Sequence, residues 1–178
     1  YYLYQSSADW LPQGTAEFID LQSVLDEEDF CETILSKLGE SGHTLRALKR
    51  ALASRELVLF LDEVERLAEE DFNPRLHDLL RSLAQEPHFA MCLATDRPLD
   101  KVFPARTPGG VSPFHNIFTL KILGPFTEDE ARDCVVACLA KTGVIFTERE
   151  IDRLLIQSEC YPADLQARAR ALFEEKSS

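Results

Sequence analysis

Two features of the sequence predict an α/β fold built on a parallel sheet, and a third predicts a small all-helical domain behind it. Leu57–Leu61 (LVLFL) and Phe89–Ala94 (FAMCLA) are continuous apolar runs. They are too short for helices and have the length of strands buried on both faces, as the strands of parallel sheets are. Strand and helix patterns alternate through the first two thirds of the chain, which is the signature of βα units. After Gly124-Pro125 three capped helical patterns follow with no strand between them. The expected organisation is therefore an α/β core over 1–123 and a helical domain over 124–178.

The elements follow in order. Tyr1–Ser7 reads as the tail of a helix, and Pro12 and Gly14 break the chain. Trp10, in an expected loop over Ala8–Pro12, is placed against that helix end. Ala16–Leu21 is a short strand. Asp26 is a helix N-cap followed by acids in the first turn, with Leu25 and Phe30 in the two positions of a hydrophobic staple. This helix is expected to reach Leu38, where Gly39 stops it. Thr44–Ala53 forms a basic helix with Leu45, Leu48 and Leu52 on one face. Leu57–Leu61 is the first buried strand. Asn73 and Pro74 cap and open a helix carrying Leu76, Leu79, Leu80 and Leu83. Phe89–Ala94 is the second buried strand, Pro104–Pro113 a Pro/Gly loop, and Ile117–Ile122 a last strand. Thr127 with Glu130, and Thr147 with Glu150, are capping boxes opening helices to about Lys141 and Gln157. Tyr161-Pro162 opens a third, to about Glu174.

Composition limits the function. The chain has 178 residues, 19 Lys+Arg and 31 Asp+Glu, a formal net charge of −12. That balance argues against broad binding to nucleic acid or to anionic membranes, both of which need positive surface. No apolar run approaches the length of a membrane span. The five cysteines are odd in number and include no CxxC, so reduced thiols in a cytoplasmic protein are expected. Cys134 and Cys138 stand one helical turn apart. They read either as core packing or as half of a metal site whose second ligand pair is missing. Residues 1–42 hold nine acids against Lys37, whereas Thr44–Arg55 holds Arg46, Lys49, Arg50 and Arg55 and no acid. Either two solvated faces attract each other, or the basic helix docks an acidic partner.

The strongest chemical signal is at Asp62-Glu63. A buried parallel strand ending in two carboxylates places them at the carboxyl edge of the sheet, where open α/β sheets bind ligands. Asp62 suits Mg²⁺, which takes one or two carboxylates and keeps several waters, and Glu63 suits polarisation of a water. The plainer alternative is that both acids open the next helix, where its dipole favours them. The second strand ends in Thr95-Asp96-Arg97, a hydroxyl and a guanidinium suited to phosphate oxygens, or else a helix cap with an exposed arginine. Other chemistry is weaker. His43, His77, His88 and His115 are scattered, with no HExxH and no GxSxG. His77, one turn before Arg81, is expected on the surface.

In order and spacing these pieces resemble P-loop ATPases of the AAA+/STAND type, in particular prokaryotic ATPase domains of signalling and defence proteins. LVLFLDE (Leu57–Glu63) resembles their Walker B strand, and MCLATDR (Met91–Arg97) resembles the strand ending in Thr-x-Arg that serves as sensor 1. IFTLKILGPFTEDEA (Ile117–Ala131) resembles the passage from the last core strand into the helical lid. ECYPADLQ (Glu159–Gln166) is similar to the lid motif Gly-Gly-x-Pro, whose proline packs near the adenine. AEFIDLQSVLDEEDFCETIL (Ala16–Leu35) resembles the strand and acidic helix that follow the P-loop helix.

The resemblance implies a P-loop NTPase-like core, N-terminally truncated, followed by a helical lid. It implies ATP and Mg²⁺ as cofactors, with Asp62 on the metal, Glu63 on the water, Thr95 and Arg97 on the γ-phosphate and Pro162 at the base. It further implies a nucleotide-controlled switch that governs assembly or an attached effector, with protein partners or self-association. There are two departures. No GxxxxGK[ST] occurs, since none of the seven glycines precedes Lys-Ser or Lys-Thr, and Glu159-Cys160 replaces Gly-Gly. YYLYQ resembles the helix just after a GKTSLL segment. Because the chain starts at Tyr1 and its single methionine is Met91, a segment bearing the phosphate loop is expected upstream. The alternative is a degenerate, non-hydrolysing module that keeps the fold and binds partners.

Overall fold

The computed structural model describes residues 2–11, 15–53, 55–104 and 114–177. The break at Pro12–Gly14, most of the Pro/Gly loop (105–113) and the Trp10 side chain lie outside the described residues. The chain divides into two compact units, Tyr1–Thr119 and Leu120–Ser178.

The first unit opens with two short helices, α1 (Tyr2–Gln5) and α2 (Ser7–Trp10), so the expected loop at Ala8–Trp10 is helical instead. Strand β1 (Thr15–Asp20) leads through a 3₁₀ turn into α3 (Glu27–Lys37) and then α4 (Leu45–Leu52). β2 (Leu57–Asp62), α5 (Pro74–Leu83), β3 (Phe89–Leu93) and the short α6 (Leu99–Val102) complete the series. The three strands are parallel in the order β1-β2-β3, with Phe18 opposite Phe60 and Leu59 opposite Met91. This is the α/β fold with a parallel sheet that the apolar runs predict.

β2 is apolar on both faces because both are covered. Leu57, Leu59 and Leu61 join Ile19 and Phe89 in the main core, with Ile34, Leu48, Leu52, Leu76 and Leu80 from the helices. Phe60 points the other way and is also buried, with the Tyr4 ring 5.8 Å from it and 5.6 Å from Phe18. Pleating alternates the two sets.

Local signals fix the helix ends. Asp26 accepts from the Asp29 N–H at 2.9 Å, and the Asp29 carboxylate accepts from the Leu25 N–H at 2.8 Å. Leu25 itself is 72% exposed, so the expected staple with Phe30 does not form; the Asp29 carboxylate fixes the entry angle instead. At the other end Gly39 takes φ +71°, which lets Glu40 N–H reach Leu35 O and Gly39 N–H reach Ser36 O, the Schellman pattern. Thr44 caps α4 and Asn73 caps α5.

Two expectations in this unit are corrected. Ile117–Ile122 is not a strand. Phe114–Ile117 is a 3₁₀ turn and the residues that follow are irregular, with Leu120 and Ile122 61% and 79% exposed. Among the described residues no strand lies beside this segment to share backbone hydrogen bonds, and an apolar sequence alone does not make a strand. His77 is buried rather than on the surface. Its Nε2 lies 2.8 Å from Leu67 O, and its ring stacks on Phe114 and meets Phe103 edge-on. The aromatic clasp exploits the flat apolar body of imidazole.

The second unit is three helices, α7 (Glu128–Leu139), α8 (Glu148–Ser158) and α9 (Pro162–Ser177), around Val135, Ile151, Leu154, Leu155, Leu165 and Leu172. Both capping boxes form in full. Glu150 also accepts from Lys176 Nζ at 2.8 Å, and Lys176 donates to Ile145 O and lies over the Phe146 ring. The Lys176 ammonium, then the Thr147 N–H, hold the Glu150 carboxyl down to about 2. Cys134 and Cys138, read as core packing, are exposed instead. The core face of α7 is taken by Ala131 and Val135, which leaves the cysteines to one side.

The turn from α8 into α9 holds Glu159 at φ 49° and Cys160 at φ 57°, two successive left-handed residues with side chains. Those are the positions where the resemblance supplies Gly-Gly, and only glycine occupies that region freely. Glu159→Gly is expected to stabilise the chain by about 1 kcal/mol, the left-handed strain less the added chain entropy; urea unfolding measures it. In contrast, Leu59→Ala is expected to cost ~2–5 kcal/mol as a core truncation. The pH response of Glu150 has a definite sign. Because its folded value lies below the ordinary 4.5, its stabilisation is complete above 4.5 and is lost as pH falls toward 2. Helix circular dichroism on heating is expected to show the midpoint of the natural chain dropping across that window, with Glu150→Gln already lower at neutral pH and dropping less.

Candidate functional site

The pairing of β2 with β3 does not stop at the strand ends. Ala94 N–H donates to Leu61 O at 2.8 Å and Val64 N–H donates to Ala94 O at 3.0 Å. These two bonds bring Asp62, the last residue of β2, and Glu63 after it beside Thr95-Asp96-Arg97 after β3, at the carboxyl edge of the sheet. Asp20, the last residue of β1, lies in register with Asp62.

Glu63 turns the chain sharply. Its backbone is left-handed, φ 55° and ψ 46°, and it opens the 3₁₀ turn Val64–Ala68. The alternative reading, that these acids open the next helix, is met in this short form. Asp62 Oδ1 accepts from Glu63 N–H at 3.1 Å, so the aspartate carboxylate braces the turn that aims the glutamate. A strained non-glycine residue at this point is the kind of feature that collects at functional sites.

The electrostatics are those of crowded carboxylates. A hydrogen bond with Glu65 raises the Glu63 carboxyl, and desolvation and the charges of Glu65, Asp62 and Asp96 raise it further. Asp96 is driven the other way, first by its hydrogen bond to Arg97. That pair is bidentate, with Arg97 Nε 2.7 Å from Oδ1 and the Arg97 terminal nitrogen 3.3 Å from Oδ2. The Thr95 hydroxyl donates to Arg97 O at 3.1 Å and accepts from Arg97 N–H at 3.4 Å. The Arg97 guanidinium is thus engaged with Asp96, and the Thr95 hydroxyl with the Arg97 backbone.

Four of the five candidate residues, Asp62, Glu63, Thr95 and Arg97, therefore stand at one sheet edge. The fifth, Pro162, belongs to the helical unit. It opens α9 and lines an apolar cavity of about 490 Å³ together with Phe126, Leu165 and Phe173. Two residues at the sheet edge had no sequence-based role, Glu65 and Asp96. Glu65 had only its place two residues after Glu63, at the opening of the 3₁₀ turn. Asp96 had none, since only the pairing of β2 and β3 brings it near Glu63.

Among the described residues no helix is long and apolar enough to cross a membrane. No protein-family profile and no curated protein sequence matches the chain. Among solved structures it is similar to a Walker-type ATPase of Pyrococcus abyssi, with a TM-score of 0.59 at 16% identity. That similarity covers 96% of this chain and 60% of the other. The fold is thus a P-loop NTPase-like α/β core with added helices. The chain spans less than two thirds of the neighbour's length.

Glu63→Gly and Glu63→Gln both remove a crowded carboxylate, but only glycine also relieves the left-handed backbone. The urea midpoint is expected to rise more for Glu63→Gly than for Glu63→Gln. Equal midpoints would show that the turn carries no strain.

Proposed function

We propose that this chain is part of an ATP-dependent switch of the AAA+/STAND type, with the first unit as its nucleotide-binding core and the second as its lid. One observation carries the reading: Asp62-Glu63 and Thr95-Asp96-Arg97 lie side by side at the carboxyl edge of a parallel sheet, joined by the Val64–Ala94 bond. The fold neighbour is a Walker-type ATPase. The left-handed Glu159-Cys160 turn before Pro162 supports the lid assignment, because it has the backbone that a Gly-Gly-x-Pro motif requires.

The residues present fit the groups this role needs. Asp62 is a half-buried carboxylate braced at the sheet edge, suited to a Mg²⁺ that keeps most of its waters. When bound, Mg²⁺ would neutralise phosphate charge. Glu63 would orient the attacking water. Its raised carboxyl makes it a stronger base once ionised, and a cation at Asp62 would offset the neighbouring charges that raise it. Arg97 would leave Asp96 to meet the γ-phosphate, with Thr95 beside it, and Pro162 would offer an apolar surface to the base. Nucleotide exchange or hydrolysis would then shift the lid and so govern assembly or an effector.

A second reading rests on a different observation. Arg97 is already neutralised by Asp96, and no GxxxxGK[ST] occurs in the 178 residues. Both suit an NTPase-fold module that binds partners without hydrolysing nucleotide.

The purified 178-residue chain is expected to show little or no ATP turnover, because the fold binds phosphate chiefly through a glycine-rich loop and its lysine. In the full-length gene product, ATP titration with Mg²⁺ is expected to give saturable binding. Asp62→Ala or Arg97→Ala should weaken it by about tenfold or more, the loss of a charge-assisted contact. Absence of ATP binding in a folded full-length protein would sink the switch and leave the interaction module.

A further inference from the structure

The exposed Cys134 and Cys138 of α7 are not used by the nucleotide reading. They are one turn apart and both line the 490 Å³ cavity of the helical unit. Three phenylalanines, Val135, Leu139 and Leu165 form most of the remaining wall, and Arg170 is at its edge.

The geometry selects what two such thiols can do. β-carbons one helical turn apart lie about 5–6 Å from each other, whereas a disulfide needs them ~3.5–4.5 Å apart, so closing the pair would distort the helix. A linear sulfur–metal–sulfur unit needs sulfurs about two metal–sulfur bonds apart, roughly 4.6 Å on the zinc–thiolate scale, which thiols on adjacent turns reach by small side-chain rotations. Zinc itself wants four ligands in a structural site. Among the described residues no group of three or more His, Cys, Asp or Glu is arranged to supply them. Two thiolates with no further ligand suit a soft ion of low coordination number.

We propose that Cys134 and Cys138 form a two-coordinate site for copper(I), shielded on one side by the apolar cavity. Two S–H bonds break and two copper–sulfur bonds form. Both protons go to solvent, and copper is taken up as copper(I), so nothing is oxidised or reduced. The site carries one negative charge when filled; Arg170 also lines the cavity, with its guanidinium held by Glu174 at 2.9 Å. Each thiol must lose its proton to bind the metal, so binding weakens in acid. The other three cysteines do not enter: Cys31 and Cys160 are buried, and Cys92 is half-buried on β3.

The test is an anaerobic titration of the reduced chain with copper(I) in the presence of a coloured copper(I) chelator. Wild type is expected to withdraw one equivalent. Cys134→Ser and Cys138→Ser are each expected to weaken withdrawal at least tenfold, and Cys92→Ser not to change it. Circular dichroism checks that each variant folds, which serine at an exposed position should permit. Bound copper is also expected to protect Cys134 and Cys138, and not Cys92, from alkylation read by peptide mass. Uptake that survives in the double variant, an absence of uptake by the folded wild type, or zinc uptake of similar affinity at the same cysteines would each overturn the proposal. None of these readouts depends on nucleotide.

Discussion

The sheet edge depends on one constraint: β2 is apolar on both faces and must be covered and paired on both sides. Its neighbours β1 and β3 supply the pairing, α3, α4 and α5 cover one face, and Tyr4 packs over Phe60 on the other. Backbone groups buried at the centre of such a sheet cannot be left without partners, so the ladder continues to the last available donor. That donor is Val64 N–H, beyond Asp62 and Glu63. The bond it makes to Ala94 O is the reason two loops distant in sequence share one edge. A strand that stopped pairing at Leu61 would leave Asp62-Glu63 free to drift away from Thr95-Asp96-Arg97. The site is in this sense a by-product of satisfying the buried backbone.

The same logic explains which parts of the fold were legible in the sequence. Strands β2 and β3 announce themselves because burial on both faces demands continuous apolar runs. The helix starts do so because orphan N–H groups require Asp26, Asn73, Thr127 and Thr147 at fixed offsets. Features that rest on contacts across the fold were hidden. The run Ile117–Ile122 has a strand's composition but no neighbouring strand among the described residues, and strand formation is decided by the neighbour. His77 carries no local mark of burial; its place is set by Phe103 and Phe114, more than twenty residues further along the chain. At the site, Asp62, Glu63, Thr95 and Arg97 were readable as strand-end residues. The Asp96–Arg97 pairing and the Glu65 contact depend on side-chain choices that spacing does not encode.

The helical unit solves a different problem with few apolar residues. Its three helices are joined by connections of eight and three residues, and ion pairs tie the helices to one another. Arg132 on α7 meets Glu148 and Asp152 on α8, and Lys176 at the end of α9 meets Glu150 in the first turn of α8. Exposed ion pairs contribute little singly. Glu150 differs because one carboxylate serves both a helix cap and an ion pair, so the geometry of the two is shared. The left-handed Glu159 and Cys160 show where the turn opposes the sequence. Two residues with side chains hold a backbone that glycine would hold more easily, which requires the surrounding contacts, including Phe126 N–H to Cys160 O at 2.9 Å, to determine the turn.

A parallel tension exists at the sheet edge. Glu63 is strained in its backbone and crowded by Glu65, Asp62 and Asp96, so these carboxylates by themselves are not at their electrostatic optimum. Adding a divalent cation to such a cluster would relieve repulsion, and adding a phosphate without a cation would increase it. Arg97 is the nearby charge that favours an anion, but Asp96 already holds it with two hydrogen bonds. An incoming phosphate would have to replace both, and the freed Asp96 carboxylate would then join the acidic cluster and need the cation still more. On the proposed reading, metal and nucleotide therefore bind as a unit: the metal offsets the carboxylates that the phosphate displaces. This coupling follows from the charges at the edge and requires no movement of the strands that carry them.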